Sequence, residues 1–274
     1  MVRLPVLATV ADAWRELRHD WRTFARLSVA PFAIQLIGHA LLVIGAGGGV
    51  EKASRGWGMA RLLAYSIVLW LALVPAITAW HRHVILGPDA RPARPEYQFG
   101  AGERTYIGNS VLFLVMLMLL AIPLAIPTGL LTAVLGAASD DLADLERFRP
   151  LLAAMVWITS AIMLLICAPW FLIFPAAAVG RSLRLRDARA MARGNHLRLL
   201  VVLGLAYLPQ VVISSIARGL VGLVAGEEAE DALVPALVAQ LLEMTTQYAL
   251  LAVTVGALSF AYVRLGGARA PAAR

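Results

Sequence analysis

Residues 107–135 read IGNSVLFLVMLMLLAIPLAIPTGLLTAVL and contain no Asp, Glu, Lys or Arg. A hydrocarbon layer about 30 Å thick is crossed by about 20 apolar residues in a helix, so this run is long enough to span a bilayer. The rest of the 274-residue chain has the same character, with 60% hydrophobic and 15% charged residues, against about 25% charged in an average soluble domain. The sequence therefore predicts a membrane protein.

Six apolar runs of this kind predict an all-α integral membrane bundle, in one membrane domain covering residues 1–274. The predicted spans are residues 27–47, 59–80, 107–135, 151–179, 199–225 and 233–262. Residues 1–26 form a cytoplasmic amphipathic segment, residues 27–262 the six-helix bundle and residues 263–274 a basic cytoplasmic tail. The opening MVRLPVLAT is too short for the apolar region of a signal peptide, so no cleaved signal is expected.

The distribution of basic residues predicts the orientation. Residues 1–26, 81–106, 180–198 and 263–274 hold five, four, six and three basic residues, which is 18 of the 24 in the chain. The connections that would lie on the other side hold far fewer, and two of them, SDDLADLERFRP and GEEAEDA, carry four acids each. Because basic loops stay on the cytoplasmic side, both termini are predicted to be cytoplasmic, in a cell inner membrane.

Two cytoplasmic segments have the pattern of short interfacial helices. Residues 10–24 place six apolar side chains at helical spacing, with Arg15, Arg18 and Arg22 on another side. The apolar set is Val10, Ala13, Trp14, Leu17, Trp21 and Phe24. Residues 183–193 repeat the pattern more weakly, and Gly194 with Asn195 fits a helix stop followed by a new helix start.

The second segment is rich in arginine and predicts contact with the anionic headgroups of the phospholipid bilayer. Its candidate phosphate-contacting residues are Arg181, Arg184, Arg186, Arg189, Arg193 and Arg198. A nucleic-acid partner is not expected, because the positive charge is divided among segments next to predicted spans and no recognisable binding fold accompanies it.

Polar residues inside the last two spans predict an intramembrane site. These spans form an antiparallel hairpin in which residues at equal depth have numbers that add up to about 461. Three polar pairs share this register, and Gln35 with His39 on the first span could face the same centre. The pairs are Arg218 with Glu243, Ser215 with Thr246, and Ser214 with Gln247. We predict an Arg218–Glu243 ion pair, within either a helix-packing layer or a ligand cavity.

No pattern predicts catalysis, a cofactor or a metal. The chain lacks the His-Glu-x-x-His, Gly-x-Ser-x-Gly, P-loop and Cys-x-x-Cys motifs. Its single cysteine, Cys167, lies within a predicted span. His81 and His83 have no Cys or carboxylate near them in the sequence, so membrane-interface anchoring by Trp80, His81 and Arg82 is predicted instead of zinc binding.

Two motifs carry a family resemblance: residues 175–200, PAAAVGRSLRLRDARAMARGNHLRLL, and residues 80–87, WHRHVILG. With the six-span layout, they resemble the membrane domain associated with bacterial glycerophosphoryl diester phosphodiesterases and its stand-alone multi-pass relatives. The chain keeps Asp187, Ala188, Gly194 and Asn195 of that motif but has Arg189 and His196 where aromatic residues are more usual. The resemblance implies a multi-pass inner-membrane protein without an assigned activity, and no catalytic residue carries over.

Two functions follow as hypotheses. The first is a non-enzymatic inner-membrane protein that is an accessory, envelope-organising or lipid-interacting component, with a membrane protein as a further partner. The alternative is a transporter or permease component with a polar cavity near the Arg218 and Glu243 layer. A transporter needs a water-accessible pocket that reaches the middle of the membrane, whereas a scaffold can be packed solid there.

Overall fold

The computed structural model describes residues 3–45, 50–87, 99–138, 142–225 and 233–266. Within these ranges, side chains are described except at residues 42–45, 50–62, 124, 128, 131, 132, 134–138, 142–147, 149, 152, 217–225 and 233–240. The described chain forms helices joined by turns, in agreement with the predicted all-α class.

The described residues form eight α-helices and one 3₁₀ segment. In chain order these are α1 (Val6–Gly45), α2 (Val50–Leu86), α3 (Ala101–Ala138), α4 (Leu142–Cys167), the 3₁₀ segment Ala168–Leu172, α5 (Ile173–Ala178), α6 (Leu185–Met191), α7 (His196–Ala225) and α8 (Leu233–Arg264).

Six stretches of helix are long and apolar enough to cross a membrane, as the sequence predicts. They are Val6–Leu41, Leu63–Leu86, Ala101–Pro127, Ala153–Ala178, His196–Ile216 and Leu241–Arg264. The third is the most exposed, with large apolar side chains on its surface such as Met118, at 62% exposure, and Ile122, at 61%. Such a surface is unfavourable in water and suits hydrocarbon, because lipid tails solvate apolar side chains.

The fourth span is interrupted. Pro169 lies in the 3₁₀ segment that follows α4, and Pro175 lies in α5. Proline has no backbone N–H to donate, so each of them removes a hydrogen bond that would continue a regular helix. Side chains from other helices donate to two carbonyl groups of α5. Arg82 Nε donates to the carbonyl of Ala178 at 2.6 Å, and Asn109 Nδ2 donates to that of Ile173 at 3.3 Å.

The predicted N-terminal amphipathic segment is helical, but it is continuous with the first span in α1. The two parts meet at a bend, where Asp20 has non-helical dihedral angles (φ −116°, ψ 31°). The apolar side of the first part, including Val10 and Trp14, packs against the protein core, while Trp21 is 57% exposed. The predicted position at the membrane interface stays a prediction for this segment.

Contacts bring the first and last described residues of the chain to the same end of the bundle. Arg264, at the end of α8, donates to Thr9 Oγ1 at 2.5 Å and forms an ion pair with Asp12 on α1. The backbone N–H of Leu4 donates to Asn195 Oδ1 at 2.8 Å. Asn195 follows Gly194, whose φ is +76°, and precedes α7. The helix stop and new start predicted at these two residues are confirmed.

The described core is concentrated near this end. Several elements contribute fully buried side chains to it, for example Trp80 from α2, Leu172 from the 3₁₀ segment and Tyr262 from α8. Small residues allow close packing, because a Cβ at Gly256 would lie 3.4 Å from that of Ala13 on α1. The same end thus holds α1, α2 and α8 in fixed relative positions.

Candidate functional site

A polar cleft lies between α7 and α8 within the predicted membrane layer. Its volume is about 410 Å³. The lining residues are Tyr207, Gln210, Val211, Ser214, Glu243, Gln247, Leu250, Leu251 and Thr254. The volume is within the range of small-molecule binding sites, which are mostly apolar clefts with a few placed polar groups.

The lining follows the antiparallel register predicted for this hairpin. Four facing pairs of the cleft have numbers that add up to 461: Tyr207 with Thr254, Gln210 with Leu251, Val211 with Leu250, and Ser214 with Gln247. Gln210 lies 14 residues into α7, about 21 Å along the helix at about 1.5 Å per residue. The polar lining therefore extends from about the middle of a layer about 30 Å thick into its far half, where an unsatisfied polar group is still costly.

Gln210 and Ser214 are buried polar residues of the cleft, and Gln210 has an acceptor that no described residue satisfies. Its side chain is 8% exposed, and its Nε2 donates to Ser214 Oγ at 2.9 Å, one turn along the same helix. Its Oε1 is buried and has no hydrogen-bond partner among the residues that the structure describes. A buried acceptor without a partner costs about 1–3 kcal/mol, so a donor from a ligand would gain that energy.

A second set of polar residues, on α1 and α2, lies next to the cleft. The hydroxyl of Tyr65 donates to the carbonyl of Gln35 and lies 3.1 Å from His39 Nδ1. Tyr65 also packs closely on Gly38, where a Cβ would overlap its ring. Glu243 of the cleft lies within electrostatic range of the His39 ring. The first span and the last thus meet at one polar centre, although the cleft lining itself includes neither Gln35 nor His39.

The structure separates the other predicted polar residues. Ser215 and Thr246 donate to carbonyl groups of their own helices, those of Val211 at 2.7 Å and Leu242 at 2.9 Å, and they do not line the cleft. Residues adjacent in sequence point about 100° apart on a helix, and here Ser214 lines the cleft while the hydroxyl of Ser215 points to the backbone of its own helix. The side chain of Arg218 lies outside the described residues, and the predicted ion pair with Glu243 stays a prediction.

The predicted arginine surface lies at the end of the bundle that holds the first and last described residues. Five of its residues, Arg181, Arg184, Arg186, Arg189 and Arg193, are exposed, and Arg198 is half-buried. On α6, Ala188 and Ala192 on the opposite side are fully buried. The short helix therefore presents its arginines outward, with Arg186 lying 3.8 Å from Asp187.

The prediction of interface anchoring by Trp80 and His81 was wrong. Both side chains are buried, at 0% and 1% exposure, so neither reaches a headgroup. Trp80 Nε1 donates to the carbonyl of Ala252 at 2.9 Å, and His81 Nδ1 lies 2.7 Å from Ser259 Oγ. They connect α2 to α8.

At the same end, the partly exposed Arg82 forms an ion pair with the buried carboxylate of Glu103. Arg82 Nη2 lies 2.7 Å from Glu103 Oε1, and the hydroxyl of Thr78 donates to the same oxygen at 3.0 Å. Arg82 also holds the carbonyl of Ala178, so α2, α3 and α5 meet there. A Cβ at Gly102 would collide with the guanidinium of Arg82, so a larger residue there would force that side chain to shift.

No family model, curated protein or solved structure matches this chain.

Sequence reasoning missed Gln210, Tyr207 and Thr254 in the cleft. One signal was available: Gln210 precedes Ser214 by four residues, and residues at this spacing lie on the same side of a helix. Tyr207 and Thr254 have the same register as the predicted pairs. Together these side chains provide hydrogen-bond donors and acceptors and one carboxylate, an arrangement suited to binding a polar group.

Proposed function

We propose that this protein is a non-enzymatic, lipid-interacting component of a bacterial-type inner membrane, and that the α7–α8 cleft binds the polar end of an amphiphile. The observation that carries the proposal is the buried Oε1 of Gln210, which lacks a hydrogen-bond partner among the described residues in a cleft of about 410 Å³. A ligand that donates a hydrogen bond there removes an energetic cost of the empty cleft.

The position of the cleft favours an amphiphile over a water-soluble solute. Tyr207 and Val211 on its rim are exposed at 57% and 48%, so the cleft opens sideways on a surface that hydrocarbon would cover. A ligand could therefore enter from the bilayer. Apolar lining at Leu250 and Leu251 suits the tails, while Gln210 Oε1 and the carboxylate of Glu243 favour a headgroup that donates hydrogen bonds, such as one bearing an amine or hydroxyls.

The proposed orientation places the end with the first and last described residues in the cytoplasm. That end carries the exposed arginines of residues 181–193, and basic residues at a cytoplasmic membrane surface each contribute about 1 kcal/mol to attraction for anionic lipids. The resemblance to the phosphodiesterase-associated membrane domain is part of the same proposal and supplies no catalytic residue. An accessory role beside another membrane protein is compatible with the exposed apolar surface of α3.

The proposal predicts that the purified chain retains a lipid, and that one cleft residue controls its retention. Gln247 lines the cleft, and a hydrogen bond between its amide and the headgroup would contribute about 1 kcal/mol, so the amount of lipid bound per chain is expected to fall about fivefold in Gln247→Leu. Native mass spectrometry in mild detergent measures this quantity. The matched control is Thr245→Val, two residues away, whose hydroxyl bonds to Leu241 of its own helix. Equal lipid on all three proteins contradicts the proposal.

The alternative function, a transporter or permease component, is favoured by one specific observation: the polar lining reaches the middle of the layer at Tyr207. A transported solute requires water access to this lining. Cysteine placed at residue 247 of a Cys167→Ala chain would then react with a membrane-impermeant thiol reagent. Under the lipid proposal, it is protected from that reagent and reacts with a lipid-soluble one.

A further inference from the structure

A cluster of three potential metal ligands lies at the bend of α1, outside the cleft. Nε2 of His83, on α2, lies 2.7 Å from Asp20 Oδ2 and 3.4 Å from Glu16 Oε1. One donor atom from each residue lies within 4.8 Å of the other two. These separations allow one ion to contact all three after small rotations, because oxygen and nitrogen ligands of such ions lie about 2.0–2.2 Å from the metal.

The histidine of this cluster is buried and does not have its hydrogen bonds satisfied. The side chain of His83 is only 3% exposed, and neither ring nitrogen makes a hydrogen bond within the part of the chain that the structure describes. Its Nε2 approaches the Asp20 carboxylate without hydrogen-bond geometry. An imidazole nitrogen held against two carboxylates in this way is typical of a metal ligand, since the bound ion would satisfy all three groups.

Neighbouring residues hold the ring in position. His83 stacks on Trp80, with the ring centroids 5.0 Å apart and the planes 16° apart. Trp80 is itself fixed by its hydrogen bond to the carbonyl of Ala252. A ligand held by packing loses little conformational entropy when it binds an ion.

The two carboxylates of the cluster are less tightly packed than the ring of His83. Glu16 and Asp20 are four residues apart on α1 and are partly exposed, at 28% and 24%. Asp20 is at the non-helical bend. The side chains can therefore adjust, and water and ions can reach them from the end of the bundle that holds the first and last described residues.

We infer that Glu16, Asp20 and His83 form a binding site for a divalent transition-metal ion, with Zn²⁺ the preferred species. One imidazole and two carboxylates suit Zn²⁺, Mn²⁺ or Fe²⁺, whereas Ca²⁺ and Mg²⁺ prefer oxygen ligands alone. The ion joins α1 to α2 across the bend and so holds the N-terminal amphipathic part of α1 against the bundle.

The test uses the full chain in detergent after removal of metals with a chelator. Equilibrium dialysis against Zn²⁺ followed by elemental analysis gives the ions bound per chain, and the thermal unfolding midpoint is measured with and without Zn²⁺. The variants are Asp20→Asn and His83→Phe, which keeps an aromatic ring to stack on Trp80. The matched control is His19→Gln, which removes an exposed imidazole next to Asp20.

The expected result is one Zn²⁺ per chain in the wild type and in His19→Gln, with a raised unfolding midpoint. Affinity falls by at least about tenfold in Asp20→Asn and His83→Phe, and Mg²⁺ does not replace Zn²⁺. If His83→Phe does not fold, Asp20→Asn and Glu16→Gln give the same information from partly exposed positions. The inference is overturned if the wild type binds no Zn²⁺, or if Asp20→Asn binds Zn²⁺ as tightly as the wild type.

Discussion

Arg82→Met is expected to lower the free energy of unfolding by about 2–4 kcal/mol, somewhat less than for a fully buried ion pair because Arg82 is 27% exposed. Glu103 is 4% exposed and accepts from Arg82 at 2.7 Å, so the substitution leaves a buried carboxylate without its cation. The carbonyl of Ala178 loses its donor as well. Titration of the detergent-solubilised chain with sodium dodecyl sulfate, followed by circular dichroism, measures the change.

The double variant Arg82→Met/Glu103→Gln separates the ion pair from general damage. Because no buried charge remains and glutamine can still accept from Thr78, it is expected to be more stable than Arg82→Met alone. Arg104→Met is the matched control. Arg104 is exposed, and its substitution should change the free energy by no more than about 0.5 kcal/mol. Additive losses in the double variant would show that the two charges do not interact.

Trp80→Ala is expected to cost about 3–5 kcal/mol of stability, as is usual for truncating a large buried aromatic residue. Its side chain is fully buried, packs edge-on against Phe24 with centroids 5.3 Å apart, and donates to the carbonyl of Ala252. The substitution thus leaves a cavity and removes a hydrogen bond between α2 and α8, where α1, α2 and α8 meet. The same titration measures the loss.

The chain offers a control with the same side chain. Trp157 on α4 is 76% exposed, so Trp157→Ala should change the free energy of unfolding by no more than about 0.5 kcal/mol. Equal losses of unfolding free energy in Trp80→Ala and Trp157→Ala would show that the packing around Trp80 makes no special contribution to stability.

The sequence predicted the class of the fold because apolar run length is a local property. Residues 107–135 form an uncharged run that is longer than the roughly 20 residues that a helix needs to cross a bilayer. No tertiary contact changes the length of this run. The hairpin register was predictable too, since a short connection between antiparallel helices places residues at matched depth. Ser214 and Gln247 therefore line the same cleft.

Features that depend on contacts between distant residues were not predictable. His83 and Asp20 are 63 positions apart in the chain, so nothing in the sequence near His83 indicates a carboxylate. Trp80 and His81 have the composition of an interface anchor, yet packing against α8 buries both. The orientation of side chains about a helix axis also depends on tertiary packing, which is why Ser214 lines the cleft and Ser215 does not.

The central claim is that the α7–α8 cleft binds an amphiphile from the bilayer. Photo-crosslinking tests it most directly, with a benzoyl-phenylalanine in place of Val211 on the cleft rim or of Val156 on α4. These valines have similar exposures, 48% and 53%, and Val156 lies outside the cleft. We expect adducts at residue 211 to be enriched in lipids of one headgroup class and adducts at residue 156 to match the bulk membrane. Lipid adducts of the same composition at both positions, or none at residue 211, would contradict the claim.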